Sequence, residues 1–128
     1  MTAYHAIVLE HFRRPRHRAS LPDANREAEG ANPLCGDRIR VQLRIDHGVI
    51  TAACFTADAC ALCIASASLL VEHVFGKTVA DAEAVDEPWI IVALQGRPPA
   101  GRRKCALLPL DTLRRAIHGG QTDAGTPG

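Results

Sequence analysis

Between Arg38 and Ile45 the chain alternates without a break: Ile39, Val41, Leu43 and Ile45 fall on one side of an extended backbone, and Arg38, Arg40, Gln42 and Arg44 on the other. Successive strand side chains point to opposite faces, so this stretch must lay one face on a core and leave the other wet. Asp46-His47-Gly48 reads as a turn, and Val49 to Phe55 as the antiparallel strand that returns from it. The flanking sequence supplies the cover for the buried face as helices.

Upstream, Tyr4, Ile7, Val8 and Phe12 recur at helical spacing with Glu10 and His11 on the other side, which predicts a short amphipathic helix ended by Arg13-Arg14-Pro15-Arg16. Ser20 to Pro33 is polar and rich in turn formers, a loop with room for an edge strand near Glu27 to Ala31. Downstream, Thr56 or Asp58 is expected to cap a helix from Ala59 to Phe75, with Leu62, Ala65, Leu69 and Val74 as its apolar stripe. Ala61, Ala65, Ser66, Ala67 and Ser68 keep its first half slim, and Gly76-Lys77 stops it. Thr78 to Leu94 predicts one or two short helices, with Asp86 and Pro88 marking a start and Gln95-Gly96 an end. Arg97 to Arg103 reads as a loop delivering Cys105, and a last helix is expected from Pro109, with Leu110, Leu113 and Ile117 on its buried side. The expected fold is α+β, a small three-stranded antiparallel sheet packed against several helices. One domain is expected over residues 1–118, with a flexible tail over 119–128.

The 47% apolar content of these 128 residues supplies one core. Fifteen Lys and Arg against 14 Asp and Glu leave no global field to attract nucleic acid or an anionic membrane, and 4% aromatic residues argue against base stacking. The N-terminus lacks the basic segment and apolar run of a secretory signal, so a cytoplasmic protein with no nucleic-acid or membrane partner is expected. In such a reducing compartment the five cysteines should stay thiols, and an odd number cannot pair off completely. Metal binding or sulfur chemistry gains from that.

Cys35 stands between Pro33 and Gly36 in a turn context, and Asp37, two residues on, can aim at the same point. A loop thiol beside a solvated Asp explains the same residues. Cys60 falls at a helix start, where free amides favour thiolate, and Cys63 lies three residues later on nearly the same face. That Cys-x-x-Cys reads as a metal pair, a redox pair, or one functional thiol with a packing neighbour; the missing βαβ pattern counts against a thioredoxin-like redox pair. Cys105 follows Arg102-Arg103-Lys104, whose charge should favour thiolate, although such a run also serves as a solvated basic loop. Cys54 reads as a small packed side chain, and His5, His11, His17, His47, His73 and His118 show no paired ligand spacing. Cys35, Cys60 and Cys105 together describe a soft-metal site, since thiolates bind zinc or iron and Asp37 can complete four ligands.

These residues resemble the U-type iron–sulfur cluster scaffold family over roughly Tyr4 to Ile117. The likeness is carried by Leu9-Glu10-His11-Phe12 with Pro15-Arg16, Asn32-Pro33-Leu34-Cys35-Gly36-Asp37, Ala59-Cys60 through Ser68, and Arg103-Lys104-Cys105-Ala106-Leu107-Leu108. The resemblance implies that Cys35, Cys60 and Cys105 are the cysteine ligands and Asp37 the carboxylate that binds or labilises the metal. Cys63 occupies a position where the family usually has a small residue such as Ser or Ala. Lys104, in place of the His that precedes the third cysteine in general scaffolds, is similar to a sulfur-mobilisation branch that binds zinc. The Cys60 to Cys105 interval is too short for the insertion typical of that branch.

The function so implied is a non-enzymatic scaffold that takes sulfur from a cysteine desulfurase, with Cys105, Cys60 and Cys35 as candidate persulfide acceptors. It would build a transient 2Fe-2S cluster, or hold iron, and pass it to acceptor or carrier proteins. The alternative is a zinc-dependent sulfurtransferase, with Zn2+ bound in the isolated protein. A plain structural zinc protein is the third reading.

Overall fold

A computed structural model describes residues 5–119. Its elements run α1 (Ala6–Arg13), β1 (Arg26–Asn32), β2 (Asp37–Asp46), β3 (Val49–Asp58), α2 (Ala61–Val74), α3 (Val79–Glu83), α4 (Glu87–Ala93), a 3-10 turn (Ala100–Arg102) and α5 (Arg103–Gly119). The strands form one antiparallel sheet in the order β1-β2-β3. This is the expected α+β fold, with helices on one face of a three-stranded sheet. Tyr4 and the tail beyond Gly119 lie outside the described residues.

The alternation of β2 does what it predicts. Ile39, Val41 and Leu43 are buried with Ile50, Ala53 and Phe55 of β3. Ile50 and Ala53 are three residues apart yet share a face because the register shifts between Arg44 and Ile45, which inserts Thr51 as an extra residue. On the outer face Gln42 Nε2 donates to Glu27 Oε1 at 3.1 Å while its Oε1 accepts from Leu21 N–H at 3.0 Å. The edge of β3 is met by the segment after α1: Ala19 N–H donates to the Phe55 carbonyl and Phe55 N–H to the His17 carbonyl, both at 3.0 Å.

α2 lies at the centre rather than on the surface, buried on nearly every side from Leu62 through Ser68. Its stripe is therefore wider than Leu62, Ala65, Leu69 and Val74, and Leu69 itself is only half-buried. The small residues explain how two helices approach it. Ser66 Oγ donates to the Ala106 carbonyl at 2.7 Å, which fastens α5. Ser68 Oγ accepts from Arg16 N–H at 2.7 Å and bonds His11 Nδ1 at 2.7 Å, which fastens α1. Val8 is buried and Ile7 packs on the core as expected, but His11 is buried too and Phe12 is 39% exposed, so the expected face fails at these two residues. A polar partner waiting on α2 outweighs the hydropathy of a two-turn helix.

Two boundaries also differ. Neither Thr56 nor Asp58 caps α2, because β3 continues to Asp58 and the N-cap is Cys60. α5 starts at Arg103, six residues before Pro109, so Pro109 lies inside the helix and cannot donate to the Cys105 carbonyl one turn back. Burial of Cys105, Ala106 and Leu108, with the Arg103 to Glu87 ion pair at 2.6 Å, holds the extra turns together.

β1 and α5 touch at Gly30, where a Cβ would collide with Thr112 Oγ1. Gly30→Ala is expected to lower stability by about 1–3 kcal/mol, and adding Thr112→Ala to recover part of the loss. Urea unfolding of the single and double variants checks this, and equal stability of Gly30→Ala and wild type would contradict the packing. Burial, then the Arg16 charge, hold His11 below its ordinary value of 6.5. The unfolded chain therefore takes up that proton first, so His11 favours folding above about pH 6.5 and withdraws that support as pH falls. The urea midpoint should drop between pH 7 and about pH 5, with a shallower slope in His11→Gln; equal slopes would remove His11 as a cause.

Candidate metal centre

The hairpin between β1 and β2 turns over Pro33 to Gly36. Cys35 N–H donates to the Asn32 carbonyl at 3.1 Å, and Gly36 takes a φ of 76°, a left-handed conformation that costs a glycine little. Cys35 sits exposed in this turn. Asp37 opens β2 in phase with Ile39, Val41 and Leu43, so its carboxylate points to the core side and is 1% exposed. Because β2 and β3 are antiparallel, with Arg38 opposite Asp58, the start of one strand lies beside the end of the other. The chain leaves β3 there and enters α2 through Cys60. The Cys60 amide donates to Asp37 Oδ1 at 2.9 Å, so a residue of β2 satisfies a free amide at the start of α2.

The third segment arrives as the first turn of α5, not as a loop. Cys105 is fully buried, and Asn32 Nδ2 donates to its sulfur at 3.7 Å. One ligand atom each from Cys35, Asp37 and Cys105 lie within 4.8 Å of one another. Cys60 adjoins this trio through its amide, and its sulfur falls outside that mutual distance. Of the four side chains expected at one site, the structure gathers Cys35, Asp37 and Cys105 and leaves Cys60 beside them through its amide.

Burial overrides the basic run before Cys105. Its thiol is pushed up, first by burial and then by the facing Asp37 and Cys35 groups. Arg103 is spent on Glu87, and Lys104 is exposed. Although Asp37 acts on the Cys105 thiol, Asp37 Oδ2 makes no hydrogen bond of good geometry. A buried oxygen left so costs roughly 1–3 kcal/mol. Two thiols and a carboxylate around that oxygen are a donor set for zinc or iron, and a bound cation would also deprotonate the thiols outright.

The other candidates separate cleanly. Cys54 is half-buried on the outer sheet face opposite Gln42, not packed in the core. Cys63 is fully buried, its thiol pushed up by burial, then by Asp37 and Cys60. Asn32 was not among the expected site residues; its position directly opposite Asp37 in the hairpin is the signal that leads to it.

The chain matches the family model described as NifU-like N terminal domain over residues 3–122. It is 35% identical to the iron-sulfur cluster assembly scaffold protein IscU of Escherichia coli K12, over 90% of this chain and 91% of that one. It is 29% identical to the zinc-dependent sulfurtransferase SufU of Bacillus subtilis, over 91% and 90%. Its fold is similar to that of a candidate iron-sulfur cluster assembly scaffold protein for the SUF system from Fervidobacterium islandicum, with a TM-score of 0.78, 25% identity, and coverage of 89% of this chain and 96% of that one.

The unpartnered oxygen generates a measurable expectation. Asp37→Asn keeps an acceptor for the Cys60 amide and turns the other oxygen into a donor beside the thiols. The metal-free variant is expected to be more stable than metal-free wild type by about 1–3 kcal/mol. A lower urea midpoint would mean that the carboxylate is satisfied as it stands.

Proposed function

The chain belongs to the NifU-like N-terminal domain family of U-type iron–sulfur scaffolds, and on that premise we propose that it assembles iron–sulfur clusters on Cys35, Asp37, Cys60 and Cys105. The observation that carries the reading is the buried Asp37 oxygen without a partner, set among thiols at a corner where Cys35 is exposed. A scaffold must bind iron and sulfide and then let the product go. A site with one ligand in an exposed turn and another in a helix serves both, whereas four ligands in a closed cage would retain their metal.

In this reading a cysteine desulfurase delivers sulfur to one of the site thiols, with Cys35, Cys60 and Cys105 as the acceptors. Iron enters among the same residues as substrate, and a 2Fe-2S cluster is the cargo passed to acceptor or carrier proteins. Cys35 is exposed and Cys60 partly buried, while buried Cys105 and Asp37 give the site its fixed floor. Asn32 orients the Cys105 sulfur through its amide. The scaffold domain spans residues 1–118 and works in the cytoplasm, where the thiols stay reduced. Among the described residues no helix is long and apolar enough to cross a membrane.

A second reading, a zinc-dependent sulfurtransferase, draws on Lys104 beside Cys105 and on the likeness to the Bacillus subtilis protein. There the same four residues would hold Zn2+, which keeps a thiolate ready until the desulfurase engages.

Anaerobic incubation with ferrous iron, cysteine and a cysteine desulfurase should produce the visible absorption of a protein-bound cluster, transferable to an apo-ferredoxin. Cys35→Ser, Cys60→Ser and Cys105→Ser should each reduce it more than about tenfold, while Cys54→Ser matches wild type. Full cluster formation in any of the first three variants would refute the ligand set. Stimulation of the desulfurase by the zinc-loaded protein, with no transferable cluster, would favour the transferase.

A further inference from the structure

We propose that the side-chain amide of Asn32 tunes the metal site electronically: it donates to the Cys105 sulfur while that sulfur binds a cation, stabilises the negative charge there, and so sets both the affinity of the site and the strength of the bond from sulfur to metal. This goes beyond placing the sulfur, and it rests on the reading above that Cys105 is a ligand.

Asn32 meets the ligand-bearing positions in three separate ways. As the last residue of β1 it pairs with Asp37 across the hairpin, and its carbonyl accepts from the Cys35 N–H at 3.1 Å. Both of these use the main chain. The side chain does something else: Nδ2 donates to Cys105 Sγ at 3.7 Å, across 73 positions of sequence. Asn32 lies two residues after Gly30 and so on the same face of β1, the face on which β1 and α5 touch. The close approach that Gly30 permits therefore brings the amide to the first turn of α5, where Cys105 stands.

Burial makes that bond count. Cys105 is 0% exposed and Asn32 is 7% exposed, so bulk water does not reach the sulfur. A thiolate bound there has to find its hydrogen bonds in the protein, whereas Cys35, exposed in its turn, takes them from solvent. A sulfur bound to a cation carries no proton and can only accept, so the NH2 end of the Asn32 amide is the end that must face it. The bond then has two effects. It stabilises the ionised sulfur, the form a metal requires, which raises affinity. It also draws electron density from the sulfur lone pairs, which weakens their donation to the metal.

The division of labour within Asn32 makes the role separable from the fold. Its contacts with Cys35 and Asp37 are made by the main chain, so replacing the side chain removes the sulfur bond and leaves the hairpin pairing in place. Leu keeps the branched shape of Asn without its donor, and Ala removes shape and donor together.

The test uses the full chain with Co2+ as the probe metal, at saturation and under anaerobic reducing conditions, and reads the charge-transfer absorption from thiolate to cobalt. Wild type should show such a band. In Asn32→Leu and Asn32→Ala it should move to longer wavelength, because sulfur lone pairs relieved of the hydrogen bond lie higher in energy, and affinity for Co2+ should fall at least about tenfold. A role confined to packing would lower affinity and leave the band where it was. In a Cys105→Ser background, Asn32→Leu should leave the residual band unmoved, since the sulfur it acts on is gone. The role of Asn32 is overturned if the band stays in place in both single variants, if their affinity equals that of wild type, or if Asn32→Leu moves the band as far without Cys105 as with it. Absence of a thiolate band in wild type, or an identical band in Cys105→Ser, would overturn the inference through its premise, by removing Cys105 from the ligand set of the proposed function.

Discussion

The hydrogen bond from the Cys60 amide to Asp37 Oδ1, 2.9 Å long, joins the first residue of β2 to the start of α2. It replaces the side-chain cap that α2 lacks, and it holds a carboxylate where water cannot reach it. A buried carboxylate with one oxygen unpartnered opposes folding unless something cationic arrives. The metal-free fold tolerates this arrangement because a large core surrounds it. In the proposed function the same arrangement is what draws a cation to the site, as a local deficit in the hydrogen-bond inventory.

Around that bond the molecule is built to bring distant segments close. Ser66 and Ser68 on α2 each do two things: they are small enough to admit a neighbouring helix, and each carries a hydroxyl that fastens it. Ser66 reaches the Ala106 carbonyl, one residue after Cys105, so the position of the third cysteine is set from α2. Gly30 lets α5 lie directly on β1, and Arg115 then donates to the Glu29 carbonyl at 2.7 Å. Cys105 is consequently held by rigid elements while Cys35 stays in an open turn. That division into fixed floor and accessible rim suits the loading and unloading that the proposed function requires.

The α+β class, the hairpin, the edge strand and the short helices before Gln95-Gly96 were legible because each rests on local periodicity or turn chemistry. The side of His11 was misread, since hydropathy spacing over two turns carries little information beside one buried hydrogen bond to Ser68. The start of α5 was misplaced because Pro109 looks like a first-turn proline, and nothing local says that Cys105, Ala106 and Leu108 are buried one turn earlier. The Cys105 thiol was expected to be favoured as thiolate by its basic neighbours. Burial decides otherwise, and burial is a property of the whole fold.

Sequence alone determined which residues could do the chemistry: three cysteines in distinct settings, an aspartate two residues after the first of them, and a strand pattern strong enough to fix one buried face. Extending that pattern one residue back already puts Asp37 on the core side. Only tertiary structure decided that the ends of β2, β3 and α5 meet at one corner, that Asn32 touches the Cys105 sulfur, and that Cys63 is buried rather than facing solvent. The physical reason is range. Periodicity, capping and turn preference act over a few residues, whereas burial and the encounter of groups more than seventy positions apart exist only once the chain has closed on itself.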